Sequence, residues 1–231
     1  MQSLPLPTYS VRSVRQDGRQ YFVDDRGVRL PSVSTILNAT RSPEQRQALA
    51  RWQQRVGAVE AQRISSTASR RGTGTHKQVE RYLKGAVVHC PAPVQPYWDS
   101  LKSVLQGVDA VRLIEAPVFH YDLGYAGKVD CVASYEDVPC LCEWKTADRP
   151  KASLDHLNDY PLQVVAYWGA VNHCYQAYDV NLQQALLAIA IPDQPAQVFW
   201  FEPDDLAHYW QQWQERVARY WRRLGGYRLQ E

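Results

Sequence analysis

The stretch "GKVDCVASYEDVPCLCEWKTA", residues 127–147, decides the fold. Two apolar runs, 125–135 and 139–147, flank a short polar break, and each has the length of a strand. Side chains alternate along a strand, so Glu143 and Lys145 share one face while Cys142 and Trp144 share the other. Asp130 lies on the neighbouring run, where a hairpin brings its carboxylate toward that of Glu143. Two carboxylates in an apolar layer repel each other and resist burial. A divalent cation removes that cost, and carboxylate oxygens suit the hard ions Mg2+ and Mn2+. An amine beside such an ion, here Lys145, can orient a water or steady charge developing on a phosphoryl group. Asp130, Glu143 and Lys145 are therefore candidate catalytic residues for metal-assisted phosphodiester hydrolysis. A surface Lys–Glu pair with an unrelated aspartate would leave the same short pattern.

Outward from this hairpin the period switches between two and 3.6. Residues 110–121 read as a strand, 156–175 as a helix with Pro161 in its first turn, 182–192 and 196–203 as strands, and 204–226 as a long helix. On the N-terminal side, "GTGTHKQVERYLKG" restarts a helix after two glycines, and 96–108 forms a further short helix. The first 71 residues hold a hairpin centred on Asp17-Gly18, a short helix capped by Ser32 or Ser34, and a helical stretch opened by Ser42 and Pro43 and broken near Gly57. The expected architecture is α/β, a central mixed sheet flanked by helices. A single domain is expected over 1–231, with an N-terminal hairpin and helical extension at 1–71, a core at 72–192 and an accessory strand and helix at 193–231.

At 231 residues and 45% hydrophobic content the chain can bury one large core. No run approaches the apolar length of a bilayer span, and "MQSLPLPTYS" lacks the build of a secretory signal, so the expectation is a soluble, cytoplasmic protein with no membrane partner. The net charge of +2 hides an asymmetry. Residues 1–90 carry 15 Lys or Arg against 6 Asp or Glu, whereas residues 91–231 carry 11 against 18. A basic first part points to a polyanion such as nucleic acid, although solvated helix faces would give the same count. The five cysteines have no CxxC spacing and read as small buried residues of a reducing compartment, with Cys140 and Cys142 the one pair placed to act as ligands.

The segments "GTGTHKQVE", "EAPVF", "GYAGKVDCV", "CEWKTA" and "YPLQVVAYWGAV", spread in that order from Gly72 to Val171, resemble the PD-(D/E)xK nuclease superfamily in its RecB-like exonuclease branch. "RLPSVSTIL" and "RRGTGTH" narrow the resemblance to the group of mitochondrial genome-maintenance exonucleases and their bacterial relatives. The resemblance implies a restriction-endonuclease-like core of helix, three strands, helix and strand. It implies Mg2+ or Mn2+ held by His76, Asp130, Glu143 and the backbone carbonyl of Trp144, with Lys145 catalytic. Gln163 and Tyr167, four apart on one helix face, would meet the substrate. Glu115 and Glu80 are further carboxylates near the ligands, Glu115 as a ligand or a support for one. Ser32 and Ser34 would contact phosphate, or simply cap their helix; Arg70 and Arg71 would meet phosphates, and Trp52 would offer a stacking surface or pack in the core. Val129 replaces the proline of the superfamily name, a position without chemistry. Branch members with an iron–sulfur cluster carry one cysteine before the core and three after it. Here none precedes Cys90 or follows Cys174, so no cluster is expected. The implied activity is a metal-dependent DNA exonuclease preferring single-stranded ends, working in DNA repair or genome maintenance beside replication or repair proteins. A nucleic-acid-binding module on the same fold and a restriction-type endonuclease are the alternatives.

Overall fold

The computed structural model describes residues 5–227, so the first four residues of the N-terminal stretch and the last four of the accessory segment lie outside the described residues. Strands β1 (Arg12–Gln16) and β2 (Arg19–Val23) form the expected hairpin. Asp17 and Gly18 take φ of 50° and 72°, the paired positive values of a two-residue turn that matches strand twist. β3 (Arg29–Pro31) adds a third antiparallel strand. Helix α1 (Val33–Ala39) begins where Ser32 accepts the Thr35 amide. Helix α2 (Pro43–Val56) opens with a reciprocal cap between Ser42 and Gln45, and Gly57 ends it at φ 82°.

Helix α3 (Ala58–Leu83) departs from expectation. It does not restart at the glycines but runs unbroken through Gly72 and Gly74 for 26 residues. Gly74 has a packing reason to be there: a Cβ would lie 2.6 Å from a Val94 methyl. The intrinsic penalty of about 1 kcal/mol for a helical glycine is a local preference that this close approach overrides. The division anticipated between residues 71 and 72 therefore falls inside one helix, which joins the N-terminal extension to the core as a continuous rod.

Helix α4 (Gln95–Gln106) leads into a five-stranded sheet in chain order, β4 (Val108–His120), β5 (Tyr125–Tyr135), β6 (Val138–Thr146), β7 (Ala185–Ala190) and β8 (Gln197–Phe201). Only β6 and β7 are parallel, and helix α5 (Tyr160–Cys174) connects them. Helix α6 (Pro203–Arg222) closes the described chain, its N-terminus capped reciprocally by Glu202 and Asp205. On one side of the sheet Val118, Leu141, Leu187 and Ile189 pack with Val165 and Ala170 of α5 and Trp213 of α6. On the other, Cys131, Cys142, Trp144 and Leu186 pack with Val79 of α3 and Trp98 and Leu101 of α4. The expected mixed α/β sheet with helices on both faces is thus present. Among the described residues no helix is long and apolar enough to cross a membrane.

Two irregularities position the site. Leu113, Ala116 and Val118 of β4, and Val129 and Val132 of β5, all belong to the α5-side core. Each strand therefore takes a three-residue step, at Glu115 and at Asp130, where strict alternation would take two. Glu115 accommodates it with φ 48°. Next to this, the pairs between β5 and β6 run only from Tyr135↔Val138 to Cys131↔Cys142, while β6 stays paired with β7 as far as Thr146. The sheet opens between Asp130 and Glu143.

Candidate active site

Where β5 and β6 part, the Asp130 side chain replaces the lost ladder partner. Its Oδ2 accepts the Trp144 backbone N–H at 2.8 Å. Its Oδ1 lies 3.1 Å from Nδ1 of His76 on α3, and Oε1 of Glu115 lies 3.2 Å from the same nitrogen. His76, Glu115 and Asp130 present ligand atoms within 4.8 Å of one another. Burial alone would lower the His76 imidazole, but the Asp130 charge and the hydrogen bonds His76 donates to Asp130 and Glu115 hold it up at about 10. Burial would raise Asp130, yet His76, Lys145 and the Trp144 N–H keep its carboxyl below the usual range. Glu115 is also held low against burial, chiefly by its His76 hydrogen bond, with Lys128 adding an ion pair to its other oxygen. A left-handed φ at a glutamate is strain of a kind found at functional positions.

Glu143 sits beside this cluster with 1% of its side chain exposed. One oxygen pairs with Lys145, and the other is buried without a hydrogen-bond partner among the described residues. Burial and the charge of Asp130, opposed by Lys145, push its carboxyl up to about 8. Against its own burial, the Lys145 amine is raised by Glu143 and Asp130, so it stays cationic. Its Nζ lies 5.6 Å from the centre of the Tyr160 ring. Two carboxylates and an imidazole converge on a small volume, and beside them one buried Glu143 oxygen has no donor among the described residues. That donor set fits a hard divalent cation. The observed cluster and the expected ligand set share His76 and Asp130. Glu115 completes the cluster, whereas Glu143 stands next to it, engaged with Lys145. Trp144 turns its ring into the α3–α4 core, and its indole Nε1 has no hydrogen-bond partner among the described residues.

The cluster forms part of the floor of a cleft of about 800 Å³. His76, Lys77 and Glu80 of α3 stand on one bank; Ser32, Ser34 and Tyr167 close other sides. Gln163 donates from Nε2 to the Tyr167 hydroxyl at 3.0 Å. The Tyr167 ring can occupy its place because residue 127 is glycine: a Cβ there would fall 2.3 Å from Tyr167 Cε1. Ser32 is buried and caps α1, while Ser34, 3.0 Å from it, keeps its hydroxyl exposed on the cleft. Glu80 lines the cleft but pairs with Lys84 at 2.6 Å, outside the ligand cluster. Arg71 is turned away from the cleft into a network with Thr146, Tyr97 and Asp148. Arg70 is exposed on α3 and does not line the cleft. Trp52 is half-buried on α2, a helix with no buried residue. Cys140 and Cys142 are buried 3.6 Å apart in the α3–α4 core, remote in role from the cleft. Two residues outside the motif positions also stand at the site, Lys128 paired with Glu115 and Tyr160 beneath Lys145. Lys128 sits two residues before Asp130 in the opening stretch, and Tyr160 opens the segment "YPLQVVAYWGAV", although nothing local sets its ring near Lys145.

No protein-family profile matches the chain. Three curated proteins do, all named mitochondrial genome maintenance exonuclease 1. The mouse protein (Mus musculus) is 34% identical over 202 residues, covering 83% of this chain and 59% of its own length. The frog protein (Xenopus tropicalis) is 34% identical over 200 residues, covering 83% and 57%, and the human protein (Homo sapiens) 32% over 200 residues, covering 83% and 58%. The chain thus spans less than three fifths of the length of these relatives. A solved crystal structure of a Eubacterium rectale protein aligns with a TM-score of 0.46 and 14% identity, covering 70% of this chain and 69% of that one, a likeness too loose to build on.

Proposed function

We propose, on the premise that this chain is a homologue of the mitochondrial genome maintenance exonucleases, that it is a metal-dependent DNA exonuclease acting on single-stranded ends. The observation that carries the proposal is the convergence of His76, Glu115 and Asp130 in the floor of an open cleft, with the buried Glu143–Lys145 pair beside them. With Mg2+ or Mn2+ held by His76, Glu115, Asp130 and Glu143, the ion would polarise a phosphoryl oxygen and lower the pKa of a bound water. The protein's own groups supply the rest. Lys145, kept cationic by two carboxylates, donates to the attacking water or to a phosphate oxygen and is not itself a base. The Tyr167 hydroxyl accepts from Gln163, so its own proton is free for a phosphate oxygen. Ser34, at the cleft, and Arg70, on the exposed side of α3, extend the contact along the strand. The basic first part of the chain offsets the acidic floor and draws in a polyanion.

End-labelled single-stranded DNA, duplex DNA and closed single-stranded circles, each with Mg2+, Mn2+ or excess chelator, test the proposal together. Linear single strands should be shortened from an end only when metal is supplied, and circles should persist. Cutting of circles would overturn the exonuclease reading, and cutting in chelator would overturn the metal.

A further inference from the structure

The cleft has a wall that none of the motif residues accounts for. Three of its lining residues, Ser13, Gln20 and Phe22, come from the β1–β2 hairpin. In the hairpin register Ser13 stands opposite Phe22, and Arg15 opposite Gln20. Residues directly opposed in an antiparallel pair share a face, so all three lining residues lie on one face, and Arg15 is the next residue along it. Arg15 is exposed. The opposite face is used differently: Arg29 lies 4.0 Å over the Tyr21 ring and donates to Gln16 at 2.6 Å.

We infer that this face of the hairpin binds the DNA strand, with Gln20 and Arg15 gripping nucleotides beyond the scissile phosphate; the inference rests on the nuclease reading of the adjoining site. Gln20 is built as a fixed contact. Its backbone N–H donates to Thr35 Oγ1 at 3.0 Å, and its carbonyl accepts the Ser32 N–H at 2.9 Å and the Thr35 hydroxyl at 3.0 Å. The helix cap of α1 therefore anchors the backbone of Gln20 while the side chain faces the cleft. There Nε2 donates to Ser13 Oγ at 3.1 Å, which uses one of two amide protons and leaves the other proton and the carbonyl for a ligand. Phosphates entering the cleft meet carboxylates on its floor, so cations are needed on its walls. Arg15 supplies one on this wall and Lys77 one on the α3 bank. The wall is continuous with the His76–Asp130 cluster across the same cavity, so one strand can touch both.

The test compares Arg15→Ala/Gln20→Ala with Arg12→Ala, a control on the hairpin's other face. Fluorescence anisotropy of a labelled single-stranded oligonucleotide in excess chelator reads binding without cleavage, and steady-state kinetics with Mn2+ reads KM and kcat separately. The double variant should bind about tenfold more weakly, with a salt slope shallower by about 1, a higher KM and an unchanged kcat. The control should match wild type. Gln20→Glu, which keeps the shape but repels phosphate, should bind more weakly than Gln20→Ala, an order that a purely structural role would not produce. Wild-type affinity and salt slope in a double variant that melts like wild type would overturn the inference, as would an equal loss in Arg12→Ala. Should the double variant fail to fold, the exposed Arg15→Glu alone gives the same reading. A wild-type protein that binds the oligonucleotide but never cuts it would sink the nuclease proposal and leave the wall to be judged on binding alone. A wild-type protein that neither binds the oligonucleotide nor cuts it with Mn2+ overturns both.

Discussion

Asp130 has two separate tasks, one on each oxygen. One oxygen substitutes for a sheet partner by holding the Trp144 amide, and the other faces His76. Asp130→Asn can keep the first bond through its amide oxygen but loses the charge that the second task needs. It should cut hydrolysis by about 10²-fold or more with little loss of melting temperature, since a repulsive neighbour of Glu143 has been neutralised. Lys145→Ala should lose activity on the same scale and still fold, because Glu143, already pushed up to about 8, can take a proton in place of its lost partner. Robust cleavage by either purified, folded variant would sink the mechanism. Gly127→Ala is a packing test of the same site. The new methyl would lie 2.3 Å from Tyr167 Cε1 and 3.3 Å from a Val33 methyl. Overpacking of this kind costs about 1–3 kcal/mol, and it also displaces the phenol, so both thermal melting and turnover should fall.

At the scale of elements, the far end of β4 carries a charge-sensitive joint. His120 stacks on His173 of α5 with ring centres 4.3 Å apart and on Trp210 of α6 at 5.7 Å. Burial, reinforced by the charge of His173, lowers the His120 imidazole from 6.5 to about 4. The folded state thus binds this proton more weakly than the unfolded chain does. The stabilisation is complete above about pH 6.5 and drains away as pH falls toward 4. His120→Phe keeps the stack without the titration, so its melting temperature should fall less than wild type's across that window, as scanning calorimetry at the two ends would read. Equal losses in both proteins would place the acid sensitivity elsewhere.

Across the whole molecule, Arg216 ties three pieces of the fold together. From α6 its guanidinium donates to Thr40 Oγ1 at 2.5 Å and to the Leu37 carbonyl at 2.8 Å, both at the end of α1, and to Asp159, ahead of α5, at 3.4 Å. Asp159 also receives Gln45 of α2. Arg216→Ala would leave the α1 carbonyl and the Asp159 carboxylate without this donor, a loss of about 2–4 kcal/mol in denaturant melts. Because α1 carries Ser34 and anchors Gln20, the same variant should raise KM for DNA. Arg216→Lys should not rescue it, since one ammonium cannot reproduce a planar fork aimed at three acceptors.

The strands, their caps and turns, and the nearness of Asp130 to Glu143 and Lys145 were legible in the amino-acid sequence because each rests on a local rule. Alternation assigns Cys142 and Trp144 to one face and Glu143 and Lys145 to the other, and Ser42-Pro43 and Asp17-Gly18 mark their own boundaries. What only the tertiary structure decided depends on partners distant in the chain. Val94 packs where a side chain at Gly74 of the unbroken α3 would stand. A shift of phase in β4, matched by one in β5, brings Glu115 into one cluster with His76 and Asp130 and leaves Glu143 next to it. Arg71 is drawn to Tyr97 and Asp148, and one face of the N-terminal hairpin is set across the cleft from α3. Local periodicity says which way a side chain points along its own element. Which side chains from different elements meet is set by sheet register and packing, where energies are summed over contacts that no short stretch of sequence contains.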